Sequence, residues 1–521
     1  MKAKKNCLLA CSKGNKLATA MKLLFGWEET KNVEKAFEML KEITETIENK
    51  TEKCYSYFML GRCYHKGEGT NKDFVKSIEN YEKSIELGNN CALFNLALLY
   101  QFGDEENKSQ KFQKNVRKAI ELYEKSIQFG DVDSMVNLAL LYENGSEIND
   151  IKPDFKKAIE LYNKAIEFGD TSAMINLAIV YEEGNEASGI KKDLKKAIEL
   201  YEKAIELEDS SAISNLALIL KEGNEEQGIE KNPFKAVELY KRAIEMNNSS
   251  AMVNLALIYE EGCEEAKIEK NMNRAIDLYE KAILLNEKNA LTNLAIIYEE
   301  GREEDGIPQN IFRAIELYEQ LADDFAYYSI ALFYQQGDEI QGFEKNLHKA
   351  IQYYEKAIEL NDPKSMNSLA LIYKSGNEAF SIKQDPQKAF DLFERAASLN
   401  DYSSQMIVAR AYQSGDPLLK IDVDLEKSAS IFFQCFKSHE RERNPKKHFI
   451  DILQKNKVVE WRKEYHVYWK SEENLNQKII ILLLISKFKR EIHNRTISQI
   501  LVKGIAMKII KYLCHFTQTI N

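Results

Sequence analysis

At 521 residues the chain is long for a single globular core, and its 44% hydrophobic and 30% charged residues with only 7 prolines point to helices throughout, an all-α protein. Its eight cysteines are scattered, without C-x-x-C spacing or a companion His cluster; this excludes a zinc or redox site and reads as reduced, core-filling thiols. The net charge of −10 is uneven: from Lys437 onward 18 Lys and Arg face 8 Asp and Glu, a net of +10, so residues 1–436 carry −20, a sign that disfavours nucleic acid.

In chain order, residues 1–14 form a short tail whose apolar run is too brief for a secretory signal. From 15 to 437 one unit recurs, and its clearest copy is SAMVNLALIYEEGCEEAKIEKNMNRAIDLYEKAILLNEKN (250–289). Leu255, Ala256, Ile258 and Tyr259, then Ala275, Ile276, Leu278, Tyr279 and Ala282, fall three and four apart, the period of two helices with one apolar face each. Gly262 suits the left-handed conformation just past a helix end, and Asn271 suits the cap that accepts an orphan backbone N–H. The spacing therefore predicts a helical hairpin.

Three landmarks repeat with it. The glycine falls at Gly26, Gly67, Gly103, Gly145, Gly184, Gly223, Gly262, Gly301, Gly337, Gly376 and Gly415, mostly 39 residues apart and 36 to 42 throughout. A capping Asn or Asp follows each, from Asn32 to Asp424, and a small residue precedes each by six, where two helices must approach closely. The first unit is degenerate, with Leu23 and Leu40 in place of the usual tyrosines, as expected of an end repeat. The step to Gly337 is three residues short because the turn LADDFAYYS (321–329) has lost residues between hairpins.

These residues resemble the Sel-one-like repeat, a relative of the tetratricopeptide repeat: NLALIYEEG (254–262) followed by NMNRAIDLYEKA (271–282) matches its hallmark. The resemblance implies an α-solenoid of about eleven helical hairpins over residues 15–437. It also implies a non-catalytic scaffold or adaptor that presents a concave helical surface to partner proteins or peptides. The same resemblance leaves open a regulatory subunit of an enzyme complex, such as a ubiquitin-ligase or signalling complex, acting through the basic C-terminal region. That region, 438–521, reads as a separate helical tail domain, with Ile497, Leu501, Ile505, Ile509 and Leu513 at helical spacing and a greasy face suited to capping the end of the array. Its run IIILLLI (479–485) is far below the ~18 residues that cross a bilayer, so no membrane span and a cytoplasmic location are expected.

No phosphate-binding glycine loop, H-E-x-x-H or G-x-S-x-G occurs, and the Glu182–Glu183, Glu260–Glu261 and Glu299–Glu300 pairs read as solvated helix ends. No enzyme activity, cofactor or metal is expected. The candidate site is instead a surface stripe. Eight residues before the glycine stand Asn95, Asn137, Asn176, Asn215, Asn254 and Asn293, sharing a helical face with the residues five and one before it and facing away from core positions three and seven before it. Amides in a ladder suit an extended peptide backbone, or else bond the neighbouring helix. Glu183, Glu222, Glu261 and Glu300 make its rim acidic, which favours basic proteins or peptides and allows an intramolecular contact with 437–521.

Overall fold

The computed structural model describes residues 15–27, 30–103, 114–146, 151–416 and 421–438. The tail 1–14 and the basic region 439–521, with its expected helices and its contact with the array, lie outside the described residues. Within them are eleven two-helix hairpins, which divide into two compact units, Met1–Glu287 with seven and Lys288–Asn521 with four. In the first unit, hairpins one to seven pair Lys16–Phe25 with Val33–Thr46, Lys50–Lys66 with Phe74–Glu86, Cys91–Phe102 with Val116–Ile127, Val132–Asn144 with Phe155–Glu167, Thr171–Glu183 with Leu194–Glu206, Ser210–Glu222 with Pro233–Glu245, and Ser249–Glu261 with Met272–Leu284. In the second, hairpins eight to eleven pair Lys288–Glu300 with Ile311–Leu321, Asp324–Gln336 with Leu347–Glu359, Pro363–Ser375 with Pro386–Ser398, and Tyr402–Ser414 with Leu425–Ser438. Each first helix is called A below and each second helix B.

The local chemistry of the landmarks explains the hairpin. All eleven glycines after helix A have a positive φ, between 63° and 75°. At Gly184 a Cβ would also lie 2.7 Å from the backbone nitrogen of Lys192, so both conformation and space demand glycine there. Each capping Asn or Asp accepts from the backbone N–H three residues on, as Asp193 Oδ1 does from Lys196 at 3.1 Å. That bond holds the Asp193 carboxyl below its ordinary range, with the Lys196 ammonium adding to it.

Packing follows from a single contact repeated. Helix B sends a tyrosine across the hairpin, and Tyr81, Tyr123, Tyr162, Tyr201, Tyr240, Tyr279, Tyr318 and Tyr354 are all fully buried. The small residue six before the glycine makes room for that ring. In hairpin two, a Cβ on Gly61 would come within 2.7 Å of the Tyr81 ring. Phe393 and Phe432 take the same place in hairpins ten and eleven.

The longer loops between helices A and B are closed units. Asn185 and Ile190 exchange two backbone hydrogen bonds of 2.7 and 2.9 Å, and the same bridge recurs at Asn224 with Ile229, Cys263 with Ile268, and Asn377 with Ile382. Each turns the chain back and leaves its isoleucine against the core, as Ile190 and Ile229 are in the first unit.

Four expectations need correction. The shortening before Gly337 lies mainly in a helix: helix B of hairpin eight has 11 residues where that of hairpin seven has 13, and Ala322 ends it in the left-handed region at φ 54°. The position three before the glycine is core on one side only: its tyrosines pack against the buried clusters but keep part of the ring in solvent. Tyr142, Tyr181 and Tyr373 are half-exposed there and carry the ammonium groups of Lys157, Lys196 and Lys388 over their rings at 4.8, 4.9 and 4.1 Å. Among the described cysteines, Cys54, Cys63 and Cys435 are buried free thiols, but Cys91 is exposed because it opens a helix, and Cys263 is half-exposed in a loop. Burial pushes the Cys63 thiol up to about 12, which keeps it protonated and inert. The fourth correction, to the solvated glutamate pairs, belongs with the surface they line.

Among the described residues no helix is long and apolar enough to cross a membrane.

Candidate interaction surface

The ten residues singled out from the sequence lie on A helices, eight in the first unit and two, Asn293 and Glu300, in the second. In the first unit Asn95, Asn137, Asn176, Asn215 and Asn254 are half-exposed and Glu183, Glu222 and Glu261 are exposed. In the second, Asn293 is half-exposed and Glu300 exposed. None of the amides is sealed between helices.

Their hydrogen bonds divide them. Asn137 donates its amide to the Asp133 carbonyl of its own helix at 2.9 Å, and Asn95 does the same to Cys91 at 3.4 Å. Each thereby keeps its Oδ1 as an acceptor. Asn215 donates to the Tyr201 hydroxyl of the preceding hairpin at 3.5 Å. Asn176 and Asn254 make no hydrogen bond among the described residues.

The position five before the glycine, expected on the same helical face, forms an aliphatic ridge beside these amides. Five residues before the glycine stand Leu98, Leu140, Ile179, Leu218 and Leu257, all half-exposed, in hairpins three to seven. In hairpins three to seven of the first unit the A-helix face thus presents an amide and an aliphatic side chain, joined by an exposed carboxylate in hairpins five to seven. The signal was the run N-L-A-[LI] itself, in which the second aliphatic residue falls on the outer face.

A second feature was read wrongly. Glu143, Glu182, Glu260 and Glu299, two before the glycine, are half-buried and accept from the buried tyrosines of their own hairpins. Tyr162 donates to Glu143 at 2.8 Å, Tyr201 to Glu182 at 3.0 Å and Tyr318 to Glu299 at 2.6 Å, and Tyr279 bonds Glu260 likewise. Hairpins three and nine do this with glutamine: Tyr123 donates to Gln101 at 2.5 Å and Tyr354 to Gln335 at 2.6 Å. Burial raises the Glu143 and Glu182 carboxyls above their ordinary range, and the tyrosine hydrogen bond only partly offsets it. Of the outer carboxylates, Glu183 and Glu261 make no ion pair among the described residues, while Glu300 pairs with the Arg302 guanidinium at 2.5 Å.

Among the described residues no three His, Cys, Asp or Glu side chains cluster as metal ligands would. One cavity of the first unit, about 630 Å³, is an open cleft lined by Lys50, Cys54, Tyr55, Asn90, Phe129 and Asp131, at the turns between hairpins two, three and four.

Comparison with known proteins agrees with the repeat. A protective antigen of uropathogenic Escherichia coli strains, described as displaying an SLR fold, is 19% identical with a TM-score of 0.40 over 90% of this chain and 98% of its own. A Sel1 repeat protein from Oxalobacter formigenes is 25% identical with a TM-score of 0.40 over 51% of this chain and 96% of its own. Yeast Tom70 is 17% identical with a TM-score of 0.32 over 91% of this chain and 99% of its own. No curated protein matches the chain. The Sel1 repeat model matches nine times, at residues 54–89, 92–131, 132–170, 171–209, 210–248, 249–287, 288–324, 325–362 and 363–401, which are hairpins two to ten. With its helices, caps and glycines in that register, the chain belongs to the Sel1 repeat family, tetratricopeptide-related α-solenoid proteins that typically serve as non-catalytic platforms for contact between proteins.

Proposed function

We propose that the exposed A-helix face of the first unit binds an extended, basic segment of a partner protein. The observation that carries this reading is the repetition of one set of groups per hairpin: Asn137, Asn176, Asn215 and Asn254 beside Leu140, Ile179, Leu218 and Leu257, all half-exposed. Amides offer donors and acceptors to a peptide backbone, and the aliphatic ridge gives alternate side chains an apolar bed. The exposed carboxylates of Glu183, Glu222 and Glu261 favour lysine and arginine over acidic residues and speed encounter. Within this reading the protein is a scaffold or adaptor, and basic residues 437–521 of the same chain compete for the same face.

The test is fluorescence anisotropy on the full chain with a labelled 12-residue Lys/Ser/Leu peptide and its Glu/Ser/Leu counterpart. The basic peptide binds at least about tenfold more tightly at low salt, and converting Asn176, Asn215 and Asn254 to Ala together removes most of the affinity. Equal binding of the two peptides, or full affinity in the triple variant, refutes the reading.

A further inference from the structure

One hairpin breaks the tyrosine–carboxylate rule in a way that reverses the chemistry of its slot. In hairpins three, four, five, seven, eight and nine the buried tyrosine of helix B donates to a Glu or Gln two residues before the glycine. In hairpin six that position is Lys221, and the Tyr240 hydroxyl, on a side chain that is 0% exposed, has no hydrogen-bond partner. A buried hydroxyl left unpaired is destabilising, and here no acceptor among the described residues meets it.

The contrast with hairpin ten sharpens this. There the same position is also a lysine, Lys374, but the ring beneath it is Phe393, with no hydroxyl to satisfy. Hairpin two also leaves its phenol, Tyr81, unpaired, with His65 in the acceptor's place. The nearby cation there, Arg62, is already engaged by Glu68 at 3.1 Å and by the Phe25 ring at 4.7 Å. Lys221 is half-exposed and makes no ion pair among the described residues. Asn254 of the following hairpin holds the register position from which Asn215 donates to the Tyr201 hydroxyl at 3.5 Å, but it makes no such bond to Tyr240. Asn254 is likewise unengaged.

We propose that Tyr240, Lys221 and Asn254 form a carboxylate-binding notch on the A-helix face, which takes one Asp or Glu side chain of the bound segment. An ammonium, a phenol O–H and an amide N–H are three donors for a group that only accepts, two of them neutral and one charged. The slots on either side, in hairpins five and seven, already hold the carboxylates of Glu182 and Glu260, so hairpin six differs from both in having room for an acid. A mainly basic segment with a single acidic residue would therefore be fixed in register along the face. This inference rests on the surface reading above.

Two labelled 12-residue Lys/Ser/Leu peptides, one with a central Glu and one with Gln in its place, test it on the full chain by anisotropy. The Glu peptide binds about tenfold more tightly to the unaltered chain. That preference falls to within about twofold in both Tyr240→Phe and Lys221→Met, and it inverts in Lys221→Glu, which restores the tyrosine–carboxylate pair of the neighbouring hairpins. Equal affinity for the two peptides, or a preference that survives both Tyr240→Phe and Lys221→Met, overturns the notch while leaving the surface reading intact. Binding of neither peptide overturns both.

Discussion

The buried tyrosines show how one side chain serves stability in most hairpins and is left unsatisfied in another. Replacing Tyr201 by Phe leaves Glu182 half-buried without its donor, and we expect a loss of about 1–2 kcal/mol in urea unfolding. Tyr240→Phe removes a hydroxyl that has no partner, so its effect stays within about 0.5 kcal/mol or stabilises. Equal losses in the two variants would contradict the pairing rule. The same pair gives a pH dependence with a definite sign. The Glu182 carboxyl is raised in the folded protein above its ordinary 4.5, so the folded state holds its proton more tightly, and this group's contribution to stability falls as pH rises from 4.5 through the folded value. Glu182→Gln, the residue type found natively in hairpins three and nine, keeps the acceptor and should flatten that part of the stability profile, measured as Tm from pH 4.5 to 7. Glu208 sits at φ 61° in the turn where hairpins three and four have Gly130 and Gly169. Glu208→Gly should therefore raise stability by about 0.5–1 kcal/mol. Little of this was legible in the sequence. The tyrosine and its glutamate lie 19 residues apart and meet only because the hairpin closes, so no short-range period reveals the pair.

At the scale of the element, the landmarks read from the sequence were strong because each has a local cause. The eleven glycines are where a helix must end in a left-handed turn, and the eleven caps are where backbone N–H groups need an acceptor. Gly184→Ala meets both a positive φ and a backbone clash, and a loss of about 1–2 kcal/mol is expected by chemical denaturation; no loss would contradict the strained-turn account. Loop structure was less visible. The pairing of Asn185 with Ile190 is a two-bond bridge in an otherwise helical chain, too short to leave a strand pattern. The same limit applied to exposure: Tyr142 and Tyr181 look apolar at core spacing, but a phenol ring under a lysine ammonium is at ease half in water.

Across the molecule, the two units repeat one plan, and in each a hairpin rests chiefly on its neighbours in sequence. Repetition of that kind makes surface in proportion to length, in keeping with a family of interaction platforms. The −20 carried by residues 1–436 and the +10 from Lys437 onward set the sign of the partner proposed for the A-helix face. The Asn positions and the outward face of the position five before the glycine came from periodicity, whereas the half-exposure of the leucine and isoleucine side chains there shows only in the structure. The most direct measurement is hydrogen–deuterium exchange of the full chain with and without the basic Lys/Ser/Leu peptide. Slowed exchange centred on the first helices of hairpins four to seven, Val132–Asn144, Thr171–Glu183, Ser210–Glu222 and Ser249–Glu261, is the predicted result. Binding that instead protects only the second helices, such as Phe155–Glu167 and Leu194–Glu206, would contradict it.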